Sequence, residues 1–476
     1  MLGLARTALA IFTIWLLGAI LLAALGLRRR RWPLEYAQPT LDFAAGCGLL
    51  ATIFTVIGPL GWRISPALVL LVGFVLAIRA GFNLLREPWT ERDQVEEVPP
   101  SAGWMPWVSG LLILLFVVLA LGVTANTYAT SMFWDGRYIW AFKAKALFSD
   151  GALDPETFTS LARYRYTHLD YPLALPSAQA WVYQILGHVD ERRAKLIGLV
   201  FWLGTAVLLA CYLRRRMALP WALGISLLAS HIPVLVYHAG GGGADVQQAF
   251  CFLAAGVLLA DWVERSRRED ALLAALMFGI GALVKAEGVS MALGGALAFA
   301  LAWRFRGRRI NKPTALLGPA CLLLPYLPWA VLRASWGIPS PQLTRMQLRT
   351  WPQLCSRLDA IYHALLESLR SWHAWELTWP FVGFGLLAYI ASAWRHRALA
   401  PLWGLLFWQL AVYLAIYAFS PYDITWHLTT SLDRVLLHLA PLGLAAAASS
   451  LAACGLPAGP EPAPAESHPR RDHQGL

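Results

Sequence analysis

The chain has 476 residues, 58% of them hydrophobic and 14% charged, with a formal charge of +11 and a mean hydropathy of +0.53. That balance excludes an ordinary soluble domain. Nucleic acid is not the partner the excess of bases implies, because they stand in short clusters between apolar runs, as the positive-inside rule expects of a membrane protein.

Apolar runs of about 20 residues recur along almost the whole length, and a membrane β-barrel would show short alternating strands instead. Leu2–Leu27 ends in Arg28–Arg31 with no small-residue cleavage site before it, so it reads as a retained first helix. The arginine block belongs in the cytoplasm, which puts the N-terminus outside. Leu41–Leu60 then runs outward and Pro66–Leu84 inward. Arg86–Gly103 forms a cytoplasmic link, and Trp104–Thr124 runs out again. Ala125 to about Lys195 is thereby placed outside as a large first loop. Within it Tyr171–Leu186 is apolar but short for a span, and reads as an interfacial helix lying on or dipping into the outer face.

Ala194–Leu213 returns to Arg214–Arg216, Trp221–Tyr237 goes out to the run HAGGGGADVQQAF, and Phe250–Val263 comes back. Ala271–Arg306 carries basic clusters at both ends, which predicts a tight pair of helices meeting near LVKAEG on the outer side. Ala315–Leu332 goes out to a second loop, Arg333–Glu376, with an amphipathic helix around Leu354–Leu369. Leu377–Ala393, Leu402–Phe419 and Leu436–Ala453 complete the spans. The prediction is an all-α, polytopic integral membrane protein of about thirteen helices, its C-terminus inside. Residues 1–103 supply three additional N-terminal helices and the link. The main domain is 104–456, with outer loops at about 125–193 and 333–376. Residues 457–476, rich in Pro, Ala and charge, read as a disordered cytoplasmic tail.

This topology gathers Asp135, His168, Asp170, Asp245, Lys285, Glu287, Asp423, His427, Asp433 and Arg434 at one face. Ionisable groups near bilayer depth are costly, so a convergent set marks a functional site by default. Bland readings stand beside that one: Asp245 as a helix cap, Arg434 as an interfacial anchor, Lys285 and Glu287 paired only with each other. Five of the six cysteines lie in apolar segments and only Cys355 in a loop, so neither a disulfide framework nor a paired metal spacing is implied.

FWDGRYIWAFKAKALFSDG followed by YPLALPSAQAWVYQILG resembles the first loop of the GT-C glycosyltransferases that use polyprenyl-phosphate sugars, among them protein O-mannosyltransferases and the lipid A aminoarabinose transferase. In those an acid early in the loop is followed by an aromatic, an amphipathic helix, a glycine and a Pro-containing juxtamembrane helix; Asp135, Tyr138, Gly151 and Pro172 occupy those places. GGGGADVQQAF, ALVKAEG and TWHLTTSLDRVLLHLAP resemble later motifs, and the likeness covers roughly Trp104 to Leu456. One departure is that Gly136 stands where many relatives carry a second acid. The other is the three preceding helices, which the simplest members lack.

The resemblance implies transfer of a sugar from an undecaprenyl-type lipid phosphate to an acceptor hydroxyl on a glycan, lipid or protein. The reaction would occur at the periplasmic face of a bacterial inner (plasma) membrane. On that reading Asp135 is the general base by single displacement, and Arg434 and Lys285 stabilise the leaving phosphate. His168 and Asp170 orient the acceptor or the base, and Tyr138, Asp245 and Glu287 complete the substrate site. No cofactor is implied; a divalent metal is conceivable but lacks a second carboxylate at the first motif. The rival reading is a transporter or flippase without chemistry, which would place its ionisable residues at the membrane midplane, often with repeat symmetry.

Overall fold

The structure is a computed structural model that describes residues 2–28, 34–86, 105–160, 163–164, 167–306, 312–338, 346–392 and 396–455. Most of the link at 86–103 and the whole tail at 457–476, with its expected disorder, lie outside the described residues. Every regular element among the described residues is helical, as the continuous apolar runs require.

The chain opens with α1 (Leu2–Ala24), α2 (Gln38–Ile57), α3 (Pro66–Arg86) and α4 (Met105–Ala129). The first large segment between long helices then holds α5 (Phe142–Asp150), α6 (Pro155–Thr159), α7 (Ala174–Leu186) and α8 (Glu191–Ala194). Next come α9 (Leu196–Arg214), α10 (Leu219–His231), α11 (Pro233–Gly241), α12 (Asp245–Arg265), α13 (Arg268–Val284) and α14 (Glu287–Arg306). The last third holds α15 (Lys312–Leu323), α16 (Leu327–Ser335), α17 (Trp351–Arg370), α18 (Trp372–Trp375), α19 (Thr378–Ser392), α20 (Ala400–Phe419) and α21 (Ile424–Ala453).

Eight of the described helices are long and apolar enough to cross a membrane, and the bent pair α10–α11 makes nine if taken as one span. Glu287–Ala302 and Thr378–Ser392 are apolar but shorter. The expected thirteen also took in α13 and the α15–α16 run. The former has 17 residues, and the latter is interrupted between Leu323 and Leu327.

The core is built on α12, α13 and α21. Side chains are buried without a break from Asp245 to Trp262, from Asp270 to Val284, and from Val435 to Leu451. Such helices are apolar all round because protein surrounds them on every side. At the periphery α3 and α4 expose Leu70, Phe74, Leu114 and Val118, the face that lipid would cover. The first three helices are no loose appendage, since α1 and α2 pack on α7 and α2 also contacts α9 and α13.

Two sequence expectations are corrected here. Trp221–Tyr237 is not one straight helix: Pro233, which has no N–H to give the ladder, follows Ile232, and the pair bends by 60°. Tyr171–Leu186 does contain a short helix, but it does not lie along a surface. Every side chain of α7 from Ala174 to Tyr183 is buried, against α1, α2 and α5, and Trp181 Nε1 donates to Thr13 Oγ1 at 2.8 Å. The amphipathic segment around Leu354–Leu369 is α17.

The position of the site follows from α12. It has 21 residues, so it spans about 31 Å. Asp245 is its first residue. In its last turns Asp261 accepts from Arg215 at 2.6 Å and Glu264 from Arg216 at 2.5 Å. The arginine cluster after α9 and the polar centre at Asp245 therefore sit at opposite ends of one membrane-length helix.

Candidate active site

The first acid is placed by a tight crossing of two backbones. Beyond α4, the Phe133 N–H donates to the Gly241 carbonyl at 3.1 Å. Asp135 then heads a wide, π-type turn, Gly136–Ala141, that leads directly into α5. A Cβ on Gly136 would lie 2.2 Å from the Gly241 oxygen, a distance no side chain tolerates. Here is a physical reason for the missing second acid: this backbone crossing leaves it no room. Gly151, at φ +67°, closes α5 in the left-handed conformation that favours glycine.

From Asp135 a continuous chain of charged contacts runs into the core. Arg434, from α21, donates through Nη1 to Asp135 Oδ2 and through Nη2 to Asp245 Oδ2 at 3.2 Å. Asp245 Oδ1 accepts from Lys285 Nζ at 2.8 Å and lies 3.1 Å from His438 Nε2. His238 Nδ1 is 3.5 Å from Asp245 Oδ2, and Lys285 lies 3.4 Å from Glu287 Oε1. Five of the expected residues, Asp135, Asp245, Lys285, Glu287 and Arg434, are thus brought together from four distant parts of the chain.

The bland readings for three of them fall away. Asp245 makes no capping bond to its own helix and serves instead as the shared acceptor of the cluster. Arg434 bridges two carboxylates and does not point away as an anchor. Lys285 holds Asp245 more closely than Glu287. Helix ends favour the arrangement, with Lys285 just past the C-terminus of α13 and Glu287 starting α14.

His438 was not among the expected site residues. It is fully buried, and with Nε2 donating to Asp245 its Nδ1 accepts from the Tyr413 hydroxyl at 2.9 Å. A sequence signal existed: His438 follows Arg434 by four residues, which puts both on one helix face. Of the other polar residues gathered at this face, Asp423 caps α21 through the Trp426 N–H at 2.8 Å, and Asp433 accepts from Ser368 at 2.6 Å.

His168, Asp170 and Tyr138 have no hydrogen bond to this chain of contacts. His168 adopts φ +45°, stacks on Tyr171 with ring centres 4.8 Å apart, and lies 3.9 Å from Asp170. Burial lowers the His168 pKa and raises that of Asp170, so each is pushed toward its neutral form. Lys143 organises the segment, donating to the carbonyls of His168 at 2.9 Å and Tyr171 at 3.2 Å. Tyr138 is half exposed beside Trp134, 5.2 Å between ring centres.

Burial pulls the Lys143 pKa down to about 7 from 10.5, with Asp170 opposing. The unfolded lysine keeps its proton across that interval while the folded one loses it. This group therefore adds stability as pH rises through 7 toward 10. Thermal unfolding in detergent should show the native melting temperature rising over that range relative to Lys143→Met. Parallel curves would remove Lys143 as the source.

Beside Asp135 a groove of about 710 Å³ opens, with Asp245, His238 and Arg434 also in its lining. Trp134, Tyr237, Thr429, Thr430 and Asp433 also line it. Among the described residues no three His, Cys, Asp or Glu side chains are arranged to hold a metal ion.

No curated protein and no solved structure matches the chain. A family model does: dolichyl-phosphate-mannose-protein mannosyltransferase, over residues 170–332, about a third of the length. The matched segment contains Asp170, Asp245, Lys285 and Glu287, while Asp135 and Arg434 reach the same centre from outside it. That family belongs to the GT-C superfamily, so over this segment the chain, a multi-pass helical membrane protein, is similar to the GT-C-type membrane glycosyltransferases.

Proposed function

We propose that the protein transfers a sugar from a polyprenyl-phosphate donor to an acceptor hydroxyl of a glycan, lipid or protein. The carrying observation is the contact chain Asp135–Arg434–Asp245–Lys285–Glu287 at the edge of an open groove. Asp135 is the one carboxylate of this chain with substantial exposure, 31% of its side chain. It receives the acceptor proton as the new bond from oxygen to the anomeric carbon forms. The bond from that carbon to the phosphate oxygen breaks, and the electron pair leaves with polyprenyl phosphate. Arg434 and Lys285 neutralise that phosphate, and single displacement inverts the anomeric centre. His168 and Asp170 orient the acceptor, and Tyr138 with Trp134 offers it an aromatic surface. No metal takes part on this reading, the fixed cations doing its electrostatic work.

The same centre sits one membrane length from the Arg214–Arg216 cluster. With those arginines cytoplasmic, the site faces the extracytoplasmic side of a bacterial inner membrane. Residues 104–456 form the transferase domain, to which α1–α3 are a structural addition.

The test is incubation of purified protein with labelled polyprenyl-phosphate sugars and candidate acceptors. Release of polyprenyl phosphate, undiminished in a chelator, is the expected result. Accumulation of intact donor in sealed vesicles without turnover would instead establish a transporter and overturn the reading.

A further inference from the structure

We infer that Asp135 occupies the donor phosphate's seat in the empty protein, so that the donor must displace the base from Arg434 before transfer can begin. This rests on the proposed reading that a lipid-linked phosphate binds at Arg434.

The guanidinium carries five N–H donors in a rigid fork suited to bidentate oxyanions. One edge is divided between two carboxylates, Nη1 to Asp135 and Nη2 to Asp245, while Nε is buried with no partner. A buried donor left without a partner beside two carboxylate contacts leaves the guanidinium able to take a further acceptor. The two carboxylates are not equivalent. The Asp245 side chain is 2% exposed and is held also by Lys285 and His438, with His238 close by. Asp135 lies on a turn at the groove's edge, has Arg434 as its one side-chain partner, and caps no helix end. An incoming phosphate oxygen can take the place of Asp135 at modest cost, and of Asp245 only by dismantling the core.

Charge points the same way. Three carboxylates, Asp135, Asp245 and Glu287, face two fixed cations, Arg434 and Lys285. A phosphodiester donor adds another negative charge and cannot share Arg434 with both acids. Once it binds, the Asp135 oxygen that had accepted from Arg434 is free to accept from the acceptor hydroxyl. The base is thus occupied until the donor arrives, which makes the donor the first substrate and suppresses unproductive binding of acceptor alone.

The experiment measures equilibrium binding of a short-chain polyprenyl phosphate to the purified full chain. Asp135→Asn removes the competing anion and should tighten binding about tenfold or more. Asp433→Asn removes an equal charge from the same groove without touching Arg434, and should change affinity far less. Equal tightening by both variants reduces the effect to general charge and overturns the displacement, as does unchanged or weaker binding by Asp135→Asn. If native protein and both variants bind no polyprenyl phosphate at all, the underlying assignment of the site falls as well.

Discussion

Asp135→Asn should lower sugar transfer by about a thousandfold, the scale a positioned general base contributes, with the protein still folded in membranes. The side chain is partly exposed and makes one side-chain contact, to Arg434. Asparagine keeps its shape, so little of the fold depends on the charge. The loss should fall on kcat, with the donor KM unchanged or lower, because the variant still binds lipid phosphate and fails only to take the proton. That split separates a base from a binding residue. Near-normal turnover would falsify the role of Asp135 whatever the binding data show.

Asp245→Ala should instead strike the fold. Its carboxylate is the shared acceptor of Arg434, Lys285 and His438. Removing it leaves Arg434 with Asp135 alone, Lys285 with Glu287 alone at 3.4 Å, and the His438 imidazole without its carboxylate. Breaking a buried ion pair in this way costs about 3–5 kcal/mol, a large part of the roughly 5–15 kcal/mol that holds a typical domain together. The expected result is a much lower melting temperature in detergent and a poor yield of monodisperse protein. Asp245→Asn, which keeps an acceptor oxygen, should fall between. An Asp245→Ala variant as stable as the native chain would show that Asp135 and Glu287 suffice to hold these cations and that Asp245 is not the hub of the fold.

How much of this could be read from residues alone depended on the range of the interaction. Most helices were legible because an apolar run about 20 residues long has few other uses, but the last begins at Ile424, twelve residues before the run that starts at Leu436, because its first turns are polar. Asp135 stood out as an acid between aromatics, and Lys285–Glu287 as charges at a break between apolar runs. The broken span at Pro233 was signalled by the proline itself, yet hydropathy averaged over a window passes smoothly across it. His438 was hidden for a related reason: a lone histidine inside an apolar helix reads as a core residue. Its partner Asp245 lies 193 positions away. The burial of α7 was illegible too, since shortness separates a spanning helix from a non-spanning one but not a lipid-facing surface from a protein-facing one. Nor does spacing distinguish a helix cap from a network hub. Asp245 became a hub only when α13 and α21 were laid against α12.

The crossing of Gly136 over the Gly241 carbonyl bears on how this site can be altered. Asp135 and Asp245 each lie within a few residues of that crossing, the Phe133 amide ties it, and Gln179 of α7 adds a hydrogen bond to the Gly242 carbonyl at 3.3 Å. The first segment and the glycine run therefore form one interlocked joint and are not two exchangeable modules. A chimera that imported an acidic pair at positions 135 and 136 from another sequence would wedge the joint open and pull the two carboxylates apart. It would recover only if the glycine run were replaced with it. Specificity elsewhere in the groove, around Thr429 and Thr430 on α21, carries no such linkage, and that is where substitutions can change the substrate without unseating the chemistry.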